Sequence, residues 1–104
     1  MKLIHNKGEN MTTFVKASHL LVKTEEEALK LKEEIAAGKE FAQVAMEVSL
    51  CPSGQNGGDL GYFTKGQMVK EFEDACFSME IGEVSNPIKT QFGYHLIHLT
   101  DKKD

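Results

Sequence analysis

Apolar positions recur along the chain in two rhythms, and the switches between them mark out its elements. Residues 14–23 read FVKASHLLVK, rich in β-formers at both ends and apolar across HLLV. Such a run predicts a strand covered on both faces and therefore central in a sheet. Side chains alternate along a strand, so Ala17, His19 and Leu21 share one face. Thr24 then starts a helix, because with Glu27 it makes a capping box, and Glu25, Glu26 and Glu27 suit the positive end of the helix dipole. Ala28, Leu31 and Ile35 line the buried face of that helix, and Gly38 ends it as the left-handed residue after the cap.

A second helix is written in Phe41, Val44, Ala45 and Val48, at i, i+3, i+4 and i+7. It stops near Ser49, since Pro52 has no N–H and pushes Cys51 out of helical geometry. Four glycines in SGQNGGDLG at 53–61 predict a surface loop, with room for at most one further helical turn. LGYFT at 60–64 predicts a short strand. Beyond Gly66, the stripe Met68, Phe72, Ala75, Cys76 and Met79 predicts a third helix with Met68 and Phe72 stacked in its first turns. Ile88 to Thr90, a tight turn at 91–93 and a strand at 94–100 form a closing hairpin. The order β-α-α-(α)-β-α-β-β, without an internal repeat, predicts an α+β domain with a mostly antiparallel sheet.

Length and charge narrow what such a domain can do. At 104 residues and 11.6 kDa there is room for one core. Mean hydropathy is −0.34, and no apolar run approaches the roughly 18 residues that cross a membrane. Sixteen acidic residues against twelve basic ones leave a formal charge of −4, and every basic residue is a lysine. An acidic chain lacking the arginine fork is poorly suited to nucleic acid or to phosphorylated side chains. Residues 1–13 are polar and carry no signal-peptide core, so they are expected to form a flexible extension ahead of a domain at 14–104. Two cysteines are too few for a disulfide scaffold or a structural zinc site, and the default compartment is the cytoplasm. Export or membrane anchoring would follow only if the chain were a piece of a longer one. The expectation is a monomer without metal or other cofactor.

Four features could carry chemistry. The glycine loop lacks the GK[ST] ending of a phosphate loop and is not a GxGxxG turn. His19 and His95 lie in apolar strands, where an imidazole is either a hydrogen-bonded core residue or a functional group. His95 and His98 fall on opposite faces, which argues against a shared metal. Cys51, in SLCPSG, is a small loop residue or, with a histidine, a nucleophile; Cys76 sits on the apolar stripe of the third helix and reads as core. Leu60, Met68 and Phe72 form an apolar cluster after the loop that is either core or a notch for an apolar ring.

Taken together, these strings resemble the parvulin-type peptidyl-prolyl cis/trans isomerases. The likeness rests on SHLLVK at 18–23, GKEFAQVAMEVSLCPSG at 38–54, GGDLGYFTKGQMV at 57–69, FEDACF at 72–77 and GEVSNPIKTQFGYHLIHL at 82–99. It implies a four-stranded, mostly antiparallel sheet surrounded by helices, with the first and last strands adjacent in the middle and His19 beside His95. It also implies catalytic roles for His19, Cys51, Thr90 and His95. Leu60, Met68 and Phe72 would accept the proline ring, with Phe92 at the rim. The sequence departs from phospho-directed members, whose basic loop after the first strand is replaced by Thr24, Glu25, Glu26 and Glu27, and Glu71 stands where a proline is common. The implied function is isomerisation of X-Pro bonds in flexible protein segments by non-covalent stabilisation of the twisted amide, with proline-containing peptides or proteins as partners. A binding module for such segments with little turnover, and a cysteine hydrolase, are the competing classes.

Overall fold

The computed structural model describes residues 12–104; most of the extension expected at 1–13 lies outside the described residues. Strand β1 (Phe14–Val22) is central, as the apolar stretch HLLV in its second half predicts. It pairs antiparallel with β2 (Asp59–Phe63) on one side and with β4 (Gly93–Lys103) on the other, and β3 (Ile88–Thr90) closes the far edge, giving the order β2-β1-β4-β3. Strand β4 runs on past Thr100 to Lys103, its tail pairing with the start of β1 beyond a bulge at Lys16. Thr13 extends that ladder, its N–H donating to the Lys103 carbonyl at 2.9 Å.

Both faces of the sheet are covered. On one, Val15, Ala17, Ile97 and Leu99 pack against Phe72, Cys76 and Met79 of helix α3 (Lys70–Ser78) and its end. On the other, Leu20, Val22 and Leu96 pack against Ala28 and Leu31 of α1 (Glu25–Ala36) and Phe41, Val44 and Ala45 of α2 (Phe41–Val48). Each fully buried Leu or Val contributes roughly 1.5–3 kcal/mol. Burial pushes the Cys76 thiol up to about 12, which makes it an inert core residue.

The helix signals act as their chemistry dictates. Thr24 Oγ1 accepts from the Glu27 N–H at 3.2 Å, and Gly38 takes a positive φ of 122° just past the cap of α1. Two expectations are corrected. Helix α3 begins at Lys70, so Met68 precedes it, in a turn that Glu73 pins by accepting the Gly66 N–H at 2.7 Å. The glycine segment is more than a surface loop: Pro52–Asn56 form a 3-10 helix, and Gly54, Gly57 and Gly58 are buried against β1 and α2 while Pro52, Gln55 and Asn56 stay exposed.

Candidate active site

The alternation of β1 and β4 builds the site on the α3 face of the sheet. His95 stands opposite Leu21 and His19 opposite Ile97, so the two imidazoles are diagonal neighbours on one face. Their Nδ1 atoms lie 3.1 Å apart. The rings stack with centroids 5.2 Å apart and planes 16° from parallel, and the edge of Phe72 meets both. Only 6% of His19 and 5% of His95 is exposed. That burial, and secondarily the neighbouring His95, lowers the His19 pKa to about 4. Desolvation lowers that of His95 as well. At neutral pH the site is an uncharged imidazole pair.

Thr90 Oγ1 lies 2.8 Å from His95 Nε2. The β3–β4 register makes this possible: Thr90 faces Gly93, which has no side chain to stand between the hydroxyl and the ring two residues on. Gly93 takes φ +139°, and a Cβ there would come within 2.6 Å of the Val22 carbonyl oxygen, so the hairpin requires glycine.

On the far side of the pair, His19 Nε2 is 3.0 Å from Ser53 Oγ, and the Ser53 hydroxyl donates to Cys51 Sγ at 3.4 Å. Cys51 therefore reaches the histidines through Ser53. The segment is anchored to β1 by Ser49, whose hydroxyl accepts the Leu21 and Cys51 N–H groups at 3.1 and 3.3 Å, and by the Leu50 N–H donating to the Leu21 carbonyl.

Beside the imidazoles opens a cavity of about 400 Å³, within the range of small-ligand sites. Leu60, Met68 and Phe72 line it, with Phe92 at the edge and both imidazoles in its wall. The notch is open, and apart from the histidines and Cys51 its lining is apolar. Leu21, Leu50, Pro52 and Val69 also contribute. Of these, Leu21 could have been found from its shared strand face with His19. Leu50 and Ser53 could not, because nothing in a loop's sequence says which way its side chains turn. Glu71 is exposed in the first turn of α3, and the cavity is intact with it there. Strand β1 passes into α1 through Lys23 and Thr24 alone, which leaves no room for a basic phosphate-binding loop.

An antiparallel sheet carrying a buried histidine pair beside an open apolar notch defines a small α+β domain with a candidate ligand site on one face. The model of the PPIC-type PPIase domain family matches residues 1–103, and the chain belongs to that family, the parvulin-type peptidyl-prolyl cis/trans isomerases. Foldase protein PrsA 1 of Bacillus cereus is 54% identical over 97 residues, 92% of this chain and 34% of that protein. The crystal structure of PrsA from Bacillus anthracis superposes with a TM-score of 0.87 at 40% identity, covering 98% of this chain and 48% of that one. NmPin, the parvulin of Nitrosopumilus maritimus, is 48% identical with a TM-score of 0.80, covering 86% of this chain and 97% of that one. This chain thus spans about a third of the PrsA 1 protein it matches and nearly all of the archaeal parvulin.

Proposed function

We propose that the domain accelerates rotation about X-Pro bonds in flexible protein segments, without a covalent intermediate. The observation that carries this reading is the open apolar notch with two neutral imidazoles hydrogen-bonded in its wall. Amide resonance sets a barrier of ~18–20 kcal/mol and makes X-Pro exchange a matter of tens of seconds or more. At the perpendicular transition state that resonance is lost and the amide is less dipolar, so an apolar wall favours it over the planar ground state. Leu60, Met68 and Phe72 grip the pyrrolidine while the preceding carbonyl swings past His19 and His95. A differential of ~1.4 kcal/mol is tenfold in rate, so a few such contacts suffice. The imidazoles set polarity beside the carbonyl; rotation about the amide makes and breaks no bond, so it asks no proton transfer of them. Thr90 and Cys51 serve by ordering the pair, Cys51 at one remove. The foldase relatives suggest unfolded protein segments as clients. Both thiols are free, which suits work in the reducing cytoplasm.

The rim supports a substrate preference. Phe92 and Leu50 are 60% and 55% exposed, both border the cavity, and among the described residues no lysine lines it. Apolar or neutral residues before proline fit that rim better than phosphoserine.

A protease-coupled assay on X-Pro peptides tests the reading. His95→Ala and Met68→Ala should each reduce kcat/KM roughly tenfold or more, and Cys51→Asp should keep most of it. Loss of nearly all activity in Cys51→Asp would mean nucleophilic chemistry, and release of hydrolysis products by the wild type would mean a cysteine hydrolase. Peptide binding without acceleration would mean a holding module.

A further inference from the structure

The wall of the notch that carries Met68 is neither strand nor helix. Residues 64–69 form a turn between the end of β2 at Phe63 and the start of α3 at Lys70, and Met68 and Val69 line the cavity from it. Burial alone does not hold this turn, because both are only half-buried and Lys65, Gly66 and Gln67 are exposed. The sheet ladder does not reach it either, ending at the Val15–Phe63 pair. Side chains hold it instead. At its start the Thr64 hydroxyl donates to the Thr13 carbonyl at 2.7 Å, and the Thr64 N–H donates to Gln67 Oε1 at 2.9 Å. Two further contacts come from α3. Glu73 Oε1 accepts the Gly66 N–H at 2.7 Å, and Lys65 Nζ lies over the Phe77 ring, 5.3 Å from its centroid.

Glu73 and Phe77 are i and i+4, so one edge of α3 grips the turn, while Phe72 of the same helix lines the notch. An exposed ammonium over a ring is the weaker grip. A carboxylate on a backbone N–H is the stronger and the directional one, and it takes hold two residues before Met68. We infer that Glu73 is a positioning residue for the proline notch: by accepting the Gly66 N–H it keeps Met68 and Val69 in the wall beside Phe72. Glu73 is not itself one of the residues lining the cavity. What it contributes is an acceptor at a fixed reach from α3, not a charge in the site. Freed from it, the turn spends part of its time in arrangements that do not receive the ring. Substrate then binds only the competent fraction, which raises KM by the inverse of that fraction and leaves kcat near its original value. The effect on rate rests on the isomerase reading; the hold on Met68 does not.

The test separates reach from charge in the full chain. Glu73→Asp keeps the charge and shortens the arm, Glu73→Gln keeps the arm and the acceptor, and Glu73→Ala removes both. The readouts are the Met68 methyl signal in a ¹H–¹³C spectrum, assigned through Met68→Leu, KM and kcat on a Leu-Pro peptide, and the urea midpoint. Glu73→Asp and Glu73→Ala should move the Met68 methyl toward rotamer-averaged shifts and raise KM roughly tenfold, with kcat changed less than about twofold. Glu73→Gln should keep both at wild-type values, even as loss of an acidic group from the first turn of α3 lowers its urea midpoint. A merely structural role predicts instead that KM follows the midpoint across the variants. Glu73→Gln as impaired as Glu73→Asp overturns the inference. So does a folded Glu73→Asp protein with an unmoved Met68 methyl or an unmoved KM. The comparison of Glu73→Asp with Glu73→Gln decides even if Glu73→Ala does not fold. Were the Met68 methyl to respond while the wild type proved inactive on every X-Pro peptide, the positioning would stand and the isomerase reading would fall.

Discussion

At the scale of single residues, the site works because burial strips charge from groups that usually carry it. His19, held down to about 4 by desolvation and by His95, stays neutral well below the ordinary histidine range. Protonating it would put a second N–H into the 3.1 Å space between the Nδ1 atoms and break the pair. The rate on a neutral peptide should therefore stay flat from pH 8 down through 6.5 and fall only toward pH 4, measured where circular dichroism shows the protein folded. An inflection at or above 6.5 would mean that the titrating group is not this pair. Residue identity was the most legible level of the sequence: the strings around His19, His95, Thr90, Leu60, Met68 and Phe72 name the site through their resemblance. Ser53 was not legible. Its importance comes from where a 3-10 turn aims one hydroxyl, and no periodicity encodes that.

At the scale of elements, apolar spacing foretold the three α-helices and the hairpin, because burial on one face leaves a rhythm. It failed where geometry depends on what lies across a gap. The glycines at 57 and 58 read as freedom, yet they serve close approach to β1 and α2. Met68 fits the stripe of α3, but the Gly66–Glu73 bond holds it in the turn before the helix. The loop glycines give a paired prediction. At Gly58 a Cβ meets backbone at 2.1 Å with φ at +81°, whereas at Gly61 the φ is +69° and nothing lies within 4 Å. Gly61→Ala should cost only the left-handed strain, about 1 kcal/mol. Gly58→Ala should cost about 3 kcal/mol or more, since β1 or the turn must move. Urea unfolding of both variants checks this, and equal losses would contradict the close approach.

At the scale of the whole molecule, the sheet order could not be read from pattern alone, since any of several orders buries the same apolar faces. Only the resemblance put β1 and β4 side by side. Their pairing brings three histidines into low-polarity surroundings, and desolvation lowers the pKa of His19, His95 and His98 alike. Each folded-state value lies below the unfolded 6.5, so the unfolded chain binds more protons as pH drops through that window. Stability should be complete above pH 6.5 and be lost progressively toward pH 4, with His19 alone accounting for up to about 3 kcal/mol. Urea midpoints at pH 7.5, 6 and 4.5 follow the loss; a midpoint that rose on acidification would contradict the burial of these rings.

The claim beneath all three scales is that the notch lowers a rotational barrier and does more than hold proline. Exchange NMR on a Leu-Pro peptide with catalytic amounts of protein reads that barrier directly. The account predicts cis and trans resonances exchanging far faster than the uncatalysed tens of seconds, an unchanged cis fraction, and an effect largely abolished by Met68→Ala. Peptide signals that broaden on binding while cis–trans exchange keeps its uncatalysed rate would contradict it.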